Sequence, residues 1–172
     1  MNVISDKTIL TYDKYHQIYD DETIEFWANF PKKILERFAK QLLGNKILDL
    51  GSGPGRDATL LRDMGLAVVC LDASSEMVKR TRDLGFVSIK RDMRNLDFPK
   101  CSFDGVWAFT SLLHITKIEM EKVLKTIHEV LKPGGVFLIG MIEGEFEGEV
   151  ERESMSGTKR FFRFYSGGEL KK

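Results

Sequence analysis

Residues 47–57 read Ile47-Leu48-Asp49-Leu50-Gly51-Ser52-Gly53-Pro54-Gly55-Arg56-Asp57, an apolar run that leads into a glycine-rich turn. The run is typical of a short buried strand, and we expect a helix to begin directly after the turn. In a parallel sheet such a turn lies at the carboxyl end of its strand, where open α/β folds bind ligands. Glycines there let a ligand approach the backbone, and the following helix presents free N–H groups to an anionic group. A tight turn without a ligand is the alternative interpretation, because glycine turns are common.

Outward from this stretch, apolar runs alternate with amphipathic segments from about residue 30 to residue 142. Five runs are predicted to be strands: 46–50, 66–71, 86–89, 103–109 and 136–142. Helices are predicted before and between them, including one that begins at Pro31 and one over 117–131 that ends in a turn at 133–135. This order predicts a doubly wound, mainly parallel sheet with helices on both faces, a three-layer α/β/α architecture.

The two ends of the chain differ from the alternating core of residues 31–142. Residues 1–30 are polar and aromatic, and we interpret them as an N-terminal cap that is helical in part. Within the C-terminal segment 143–172, residues 145–151 alternate acidic and apolar side chains, whereas residues 159–165 are basic and aromatic. The two stretches can therefore pair as a hairpin. The alternative is a flexible acidic loop followed by an ordered aromatic stretch.

The composition argues against several classes of protein. The chain has 172 residues, and its 26 Lys and Arg balance its 26 Asp and Glu, so no net field draws it to nucleic acid or to an anionic membrane. No apolar run approaches the roughly 20 residues of a membrane span, and the first residues lack a secretory pattern. These features predict a soluble, cytoplasmic protein. Cys70 and Cys101 lack metal-ligand spacing, so we expect two free thiols and no metal site.

Three acidic residues lie at or next to the carboxyl ends of predicted strands: Asp49, Asp72 and Asp92. The two acceptor oxygens of Asp72 suit a ribose diol, and Asp92 can accept a hydrogen bond from the exocyclic amine of a base. The alternative is that an acid which ends a strand, such as Asp72, is only a helix-capping group. Arg56 occupies the place where a dinucleotide-binding fingerprint has its third glycine, and together with Asp49 this argues against NAD.

Five motifs follow one another along the chain: ILDLGSGPGRD at 47–57, VVCLDASSEMV at 68–78, RDMRNLDF at 91–98, SFDGVWAFTSLLHI at 102–115 and LKPGGVFLIGMI at 131–142. In this order and spacing they resemble the class I S-adenosylmethionine-dependent methyltransferases of the small-molecule type. The resemblance covers roughly residues 31–142. It implies a Rossmann-like fold and the transfer of a methyl group from S-adenosylmethionine to a small-molecule acceptor, which leaves S-adenosylhomocysteine.

The resemblance also implies a set of cofactor contacts. The glycine turn would pack against the methionyl portion with Asp49 near its ammonium, and Asp72 would take the ribose hydroxyls. Asp92 and the amide of Met93 would read the edge of the adenine, while a tyrosine of the N-terminal cap closes over the cofactor. The implied contacts are Tyr12, Tyr19, Asp49, Gly51, Ser52, Gly53, Arg56, Asp72, Ala73, Met77, Asp92, Met93, Phe109, Leu113 and His114.

His114 is also the candidate general base if the acceptor is a hydroxyl, since an imidazole titrates near neutrality. The alternative is that this histidine only satisfies a loop carbonyl. Two other functions stay open: a non-catalytic module that binds S-adenosylmethionine or S-adenosylhomocysteine, and an NAD(P)-dependent oxidoreductase. The sequence does not identify the acceptor.

The sequence departs from the family after the fifth predicted strand. The complete fold continues with a helix and an antiparallel strand pair, but here residues 162–170 resemble only the start of that helix. The fifth strand would then be an exposed sheet edge, which proteins normally cover. We expect residues 145–165 to fold back onto this edge, or a second copy to pair with it as a homo-oligomer. A longer parent chain is the third possibility.

Overall fold

A five-stranded parallel sheet lies at the centre of the computed structural model, which describes residues 3–30 and 32–169, with the backbone alone for residues 3–6. The strands are β1 (Lys46–Leu50), β2 (Ala67–Asp72), β3 (Val87–Lys90), β4 (Phe103–Phe109) and β5 (Leu131–Gly140), in the spatial order β3-β2-β1-β4-β5. The helices are α1 (Val3–Ala28), α2 (Lys32–Gln41), α3 (Arg56–Asp63), α4 (Ser75–Asp83) and α5 (Lys117–Val130). Pro31, the predicted start of a helix, lies outside the described residues.

Alternating side chains along the strands build two apolar cores, one on each face of the sheet. In β1, Ile47 packs in one cluster with Phe38 of α2 and Leu61 of α3. The next residue, Leu48, packs in the other cluster with Ile127 of α5. The predicted Rossmann-like, doubly wound sheet with helices on both faces is therefore confirmed.

The strand order reverses direction between β1 and β4, which are direct neighbours. The turn after β1 and the loop after β4 consequently lie side by side at the carboxyl edge of the sheet. They are joined where the Ser111 hydroxyl donates a hydrogen bond to the Leu50 carbonyl at 2.5 Å. In open α/β sheets such a reversal opens a crevice for ligands.

Helix α1 lies across this crevice and extends over residues 3–28 of the N-terminal segment. It is kinked at Tyr15, whose φ of −116° departs from helical geometry. Its Asp13 carboxylate accepts hydrogen bonds from the Ser74 hydroxyl at 2.6 Å and from the Glu76 amide at 3.2 Å. Among the helices within residues 3–30 and 32–169, none is long and apolar enough to cross a bilayer.

The C-terminal segment forms the predicted hairpin, with β6 (Glu147–Val150) antiparallel to β7 (Arg160–Arg163). The expectation of a helix start at residues 162–170 was wrong, because residues 162 and 163 belong to β7 and residues 167–169 form a turn. The hairpin packs along α1. The Phe161 amide donates to the Thr8 hydroxyl at 2.9 Å, and the Tyr15 hydroxyl donates to the Ser156 carbonyl at 2.7 Å.

The outer edge of β5 differs from the expectation in two ways. Its strand begins at Leu131, so residues 133–135 form an irregular part of the strand opposite Asp104 rather than a separate turn. The hairpin does not cover the edge, because its strands pair with each other and it packs on α1. Beyond the end of β5, a parallel bridge joins Glu143 to Tyr165, and the Tyr165 amide donates to the Ile142 carbonyl at 3.0 Å.

Candidate functional site

A pocket lies between α1 and the carboxyl edge of the sheet, and its empty space of about 880 Å³ includes the part that is open to solvent. The glycine turn forms its floor. Residues from β2, the loop after β3 and the loop after β4 form its sides, and α1 closes it from above.

Two glycines give the turn a conformation that other residues rarely adopt. Gly51 has a φ of 76°, and a Cβ there would lie 2.4 Å from the Cβ of Ser111. Gly53 has a φ of 51°, but a Cβ there would meet no protein atom within 4 Å. Gly51 therefore permits close packing of the two loops, whereas Gly53 keeps open a space that belongs to the pocket.

Asp72 ends β2 and holds the turn in place. One of its carboxylate oxygens accepts from the Gly53 amide at 2.9 Å, and the other accepts from the Ser74 amide at 2.8 Å. Burial raises the pKa of this carboxyl group, and the two backbone hydrogen bonds oppose that rise. A carboxylate oxygen has a second lone pair, so Asp72 can still accept from a ligand hydroxyl.

Asp57 is a pocket residue that the sequence analysis did not include among the cofactor contacts. It is buried in the first turn of α3, where one carboxylate oxygen accepts from the Trp107 indole at 2.6 Å and the other has no hydrogen-bond partner. Burial raises its pKa to about 7. Asp49 lies behind it, with an unpartnered Oδ2, and burial together with Asp57 raises the pKa of Asp49.

A chain of hydrogen bonds connects α1, the loop after β4 and the hairpin. The Nδ1 atom of His114 is 2.6 Å from the Phe161 carbonyl, which can only accept, so Nδ1 carries the proton. The Nε2 atom, 2.9 Å from the Tyr12 hydroxyl, must then accept from that hydroxyl. Burial lowers the pKa of His114 to about 4, so the ring is neutral at pH 7. His114 thus satisfies a carbonyl of strand β7 rather than the loop carbonyl of the alternative interpretation, and it also lines the pocket.

Asp92 and Arg56 line the pocket but are already engaged in ion pairs. The Asp92 carboxylate accepts from Arg94 at 2.8 Å. The Arg56 guanidinium contacts the carboxylate of Asp20 in α1, and that carboxylate also contacts Arg80 of α4. Arg56 keeps one buried nitrogen, Nη1, without a partner.

The structure brings thirteen of the fifteen predicted contacts to the pocket wall: Tyr12, Tyr19, Gly51, Ser52, Gly53, Arg56, Asp72, Ala73, Met77, Asp92, Met93, Phe109 and His114. It does not bring Asp49 or Leu113 there. Asp49 points beneath the turn, and Leu113 is turned into the protein with 2% exposure. Wall residues that the sequence analysis missed include Thr8, Trp27, Asp57, Arg94 and Ser111.

No group of three or more His, Cys, Asp or Glu side chains in residues 7–30 and 32–169 is arranged to hold a metal ion. Cys70 is buried and Cys101 is exposed, and both are free thiols, as expected.

A sequence profile of a methyltransferase domain matches residues 47–135, slightly more than half of the 172 residues. The chain belongs to this methyltransferase family. The matched part of the methyltransferase domain holds the glycine turn, Asp72, Asp92 and His114, whereas α1 and the hairpin lie outside it.

Named relatives of this methyltransferase domain are longer than the chain. This chain is 37% identical over 105 residues to the sterol 24-C-methyltransferase of Eremothecium gossypii. The alignment covers 56% of this chain and 28% of that protein. The chain is 30% identical over 152 residues to the S-adenosyl-L-methionine-dependent Diels-Alderase iccD of Talaromyces variabilis, which covers 78% of this chain and 51% of that protein. The chain thus spans between about a quarter and a half of these relatives.

A solved structure of the DhpI–SAH complex matches nearly the whole methyltransferase chain. The TM-score is 0.79 at 23% identity, over 99% of this chain and 85% of that one. This likeness shows a shared fold that extends beyond the profile match to the N-terminal and C-terminal segments.

Proposed function

We propose that the pocket binds S-adenosylmethionine and that the chain transfers its methyl group to a small-molecule acceptor, leaving S-adenosylhomocysteine. The observation that carries this proposal is buried Asp57, a residue of the pocket wall whose Oδ1 has no hydrogen-bond partner. Buried carboxylates are costly unless a cation or a donor meets them. The ammonium of the cofactor fits that requirement. The names of the relative iccD and of the DhpI complex support the same ligand class.

The donor set also fits the remaining parts of the cofactor. Asp57, which lines the pocket, is a better partner for the ammonium than Asp49, which does not. The free Nη1 of Arg56 is available for the carboxylate of the cofactor, which lies next to its ammonium group. Asp72 would accept from the ribose hydroxyls, and Met77 and Met93 would flank the adenine.

For the reaction itself, a bound sulfonium supplies an electrophilic methyl carbon, so the residues of the chain mainly position the acceptor and exclude water. Helix α1 closes the pocket from above, and the hairpin packs along α1. The Nε2 lone pair of His114 faces the Tyr12 hydroxyl. Because burial lowers the pKa of His114 to about 4, this ring is a weak general base at pH 7, and we propose that His114 and Tyr12 orient the acceptor.

A matched pair of glycine variants tests the cofactor site. Gly53 and Gly65 both have positive φ angles, 51° and 86°, and both have open space at the Cβ position. Each Gly→Ala change should therefore cost about 1–2 kcal/mol of stability through backbone strain. Only Gly53→Ala should also place a methyl group in the pocket, and we expect it to weaken S-adenosylhomocysteine binding at least about tenfold, as measured by isothermal titration. Equal affinities of the two variants would contradict the assigned site.

Methyl transfer is tested by incubating the chain with S-adenosylmethionine and a panel of small molecules that each offer a hydroxyl, an amine, a thiol or an acidic C–H group. We expect an acceptor to gain a methyl group and S-adenosylhomocysteine to accumulate, both followed by mass spectrometry. Binding without turnover on any acceptor would favour a second candidate, a cofactor-dependent role other than methyl transfer. The name of the relative iccD, a Diels-Alderase that depends on S-adenosyl-L-methionine, is the observation that favours it.

A further inference from the structure

Arg160 of β7 is a buried cation that the proposed cofactor site does not use. Its side chain lies between two aromatic rings, with the guanidinium carbon 5.2 Å from the ring centre of Tyr12 and 5.2 Å from that of Phe162. One nitrogen, Nη1, donates to the Tyr12 hydroxyl at 3.3 Å. The other, Nη2, is buried and has no hydrogen-bond partner. The residue as a whole is 3% exposed.

The charge of Arg160 has no counter-ion in the part of the chain that the structure describes. Arg163, three positions along the same strand, shows the usual arrangement, since it contacts the carboxylates of Glu147 at 3.5 Å and Glu169 at 2.6 Å. The rings of Tyr12 and Phe162 stabilise the Arg160 cation in part. They do not replace the hydrogen bond that Nη2 lacks, and a buried charge without a partner is costly.

The position of Arg160 connects it to the pocket. Its partner Tyr12 lines the pocket, and so does His114, whose Nε2 accepts from the same Tyr12 hydroxyl. Asp57 and Asp72 form part of the wall at the glycine turn. Arg160 is not itself a wall residue, and its guanidinium lies against the ring of the wall residue Tyr12 with Nη2 unpartnered.

We propose that the methyl acceptor is a small anion, which binds through a carboxylate or phosphate-type oxyanion to Nη2 of Arg160 beside the Tyr12 hydroxyl. This inference rests on the proposed function and names its substrate class. An arginine fork matches the geometry of such oxyanions and makes strong, charge-assisted hydrogen bonds to them. The carboxylate of the cofactor does not need Arg160, because Arg56 next to Asp57 has its own free nitrogen.

The first test uses the whole chain saturated with S-adenosylhomocysteine and needs no variant. Benzoate, phenyl phosphate and inorganic phosphate are titrated calorimetrically, with benzamide as the neutral counterpart of benzoate. We expect at least one anion to bind, and the organic anions to bind at least about tenfold more tightly than benzamide. Equal affinities for benzoate and benzamide, or no binding of any anion, would overturn the inference.

The second test replaces the cation. Arg160→Gln should weaken binding of the same anion at least about tenfold and leave S-adenosylhomocysteine affinity within about twofold. Arg152→Gln is the matched control, because Arg152 is an exposed hairpin arginine paired with Glu22, and it should change neither affinity. If Arg160→Gln does not fold, Arg160→Lys keeps the charge but not the fork, and it should still lower anion affinity.

Two results would assign Arg160 to something else. Unchanged anion binding in Arg160→Gln would make the arginine purely structural. A loss of S-adenosylhomocysteine affinity as large as the loss of anion affinity would give Arg160 to the cofactor carboxylate. Failure of the proposed function looks different, because S-adenosylhomocysteine would then not bind the unmodified chain at all. The anion titrations, repeated without it, would still decide whether the oxyanion site exists.

Discussion

At the scale of single residues, Asp57 is the group whose ionisation connects the pocket to pH. Burial raises its pKa from 3.8 to about 7 in the ligand-free chain. The folded chain therefore binds the Asp57 proton more tightly than the unfolded chain does. Stability from this group is fully present below pH 3.8 and is lost as the pH rises through about 7.

A bound ammonium would reverse this preference, because a nearby cation favours the carboxylate form. As the pH is raised toward 7, we expect the affinity for S-adenosylhomocysteine to increase by up to about tenfold per pH unit. Above pH 7 the affinity should level off. Isothermal titrations in buffers of different ionisation enthalpy should show a proton released on binding near pH 6. Asp57→Asn can still accept from the Trp107 indole, and it should bind more weakly with no pH dependence in this range. A pH dependence that survives in Asp57→Asn would contradict the assignment.

Residue positions near the glycine turn were predictable because strand ends and turn glycines are local features of the sequence. Gly53 and Asp72 reach the pocket as expected. Asp57 was missed because its orientation depends on Trp107, 50 positions away in the chain. Asp49 is absent from the pocket wall because strand alternation directs it under the turn, toward the backbone of Ala58 in α3. Its contact with the cofactor ammonium stays a prediction.

At the scale of elements, polar contacts at several positions hold α1 over the pocket, and Asp20 makes two of them. The Asp20 carboxylate, 15% exposed, joins both Arg56 of α3 and Arg80 of α4. Loss of that charge should loosen α1 without removing any pocket side chain, since Asp20 itself is not part of the wall.

We therefore expect Asp20→Asn to increase amide hydrogen exchange in α1 and to speed dissociation of S-adenosylhomocysteine. Breaking a partly buried charge network of this kind costs about 1–3 kcal/mol, which corresponds to a rise in exchange rate that mass spectrometry resolves. Asp21→Asn is the control, because Asp21 is exposed. The role given to Asp20 would be wrong if both variants exchanged at the rate of the unmodified chain.

The strands of the sheet were predicted closely because each is a continuous apolar run bounded by glycine or polar residues. β1 and β4 have the predicted bounds, and β2 and β3 are shifted by one residue. The start of β5 was not predictable, because Pro133 and two glycines signal a turn and only pairing with β4 extends the strand to Leu131. The packing of the hairpin on α1 depends on contacts such as Phe161 to Thr8, which join opposite ends of the chain.

At the scale of the whole molecule, a net charge of zero does not describe the surroundings of the pocket, where Asp57 and Asp72 form part of the wall and Arg160 lies against Tyr12. The composition therefore argues against polyanionic partners, but it does not predict whether the pocket binds a small anion. The side of the pocket formed by α1 and the loop after β4 was not predictable, because these two segments meet only in the folded chain.

Self-association through the outer edge of β5 stays a prediction, since the hairpin does not pair with this edge in the described part of the chain. Exposed strand edges pair readily with other chains. We expect light scattering to give twice the mass of one chain at high protein concentration, with a fall toward one chain on dilution. A constant mass of one chain at all concentrations would contradict pairing through this edge.

The central claim is that the pocket under α1 is a cofactor site for S-adenosylmethionine and its demethylated product. Isothermal titration of the unmodified chain with S-adenosylhomocysteine, beside a parallel titration with NADH, tests it most directly. We expect saturable binding of S-adenosylhomocysteine at one site per chain with micromolar affinity, and no heat of binding from NADH. A folded chain that binds NADH instead, or that binds neither compound, would contradict the account.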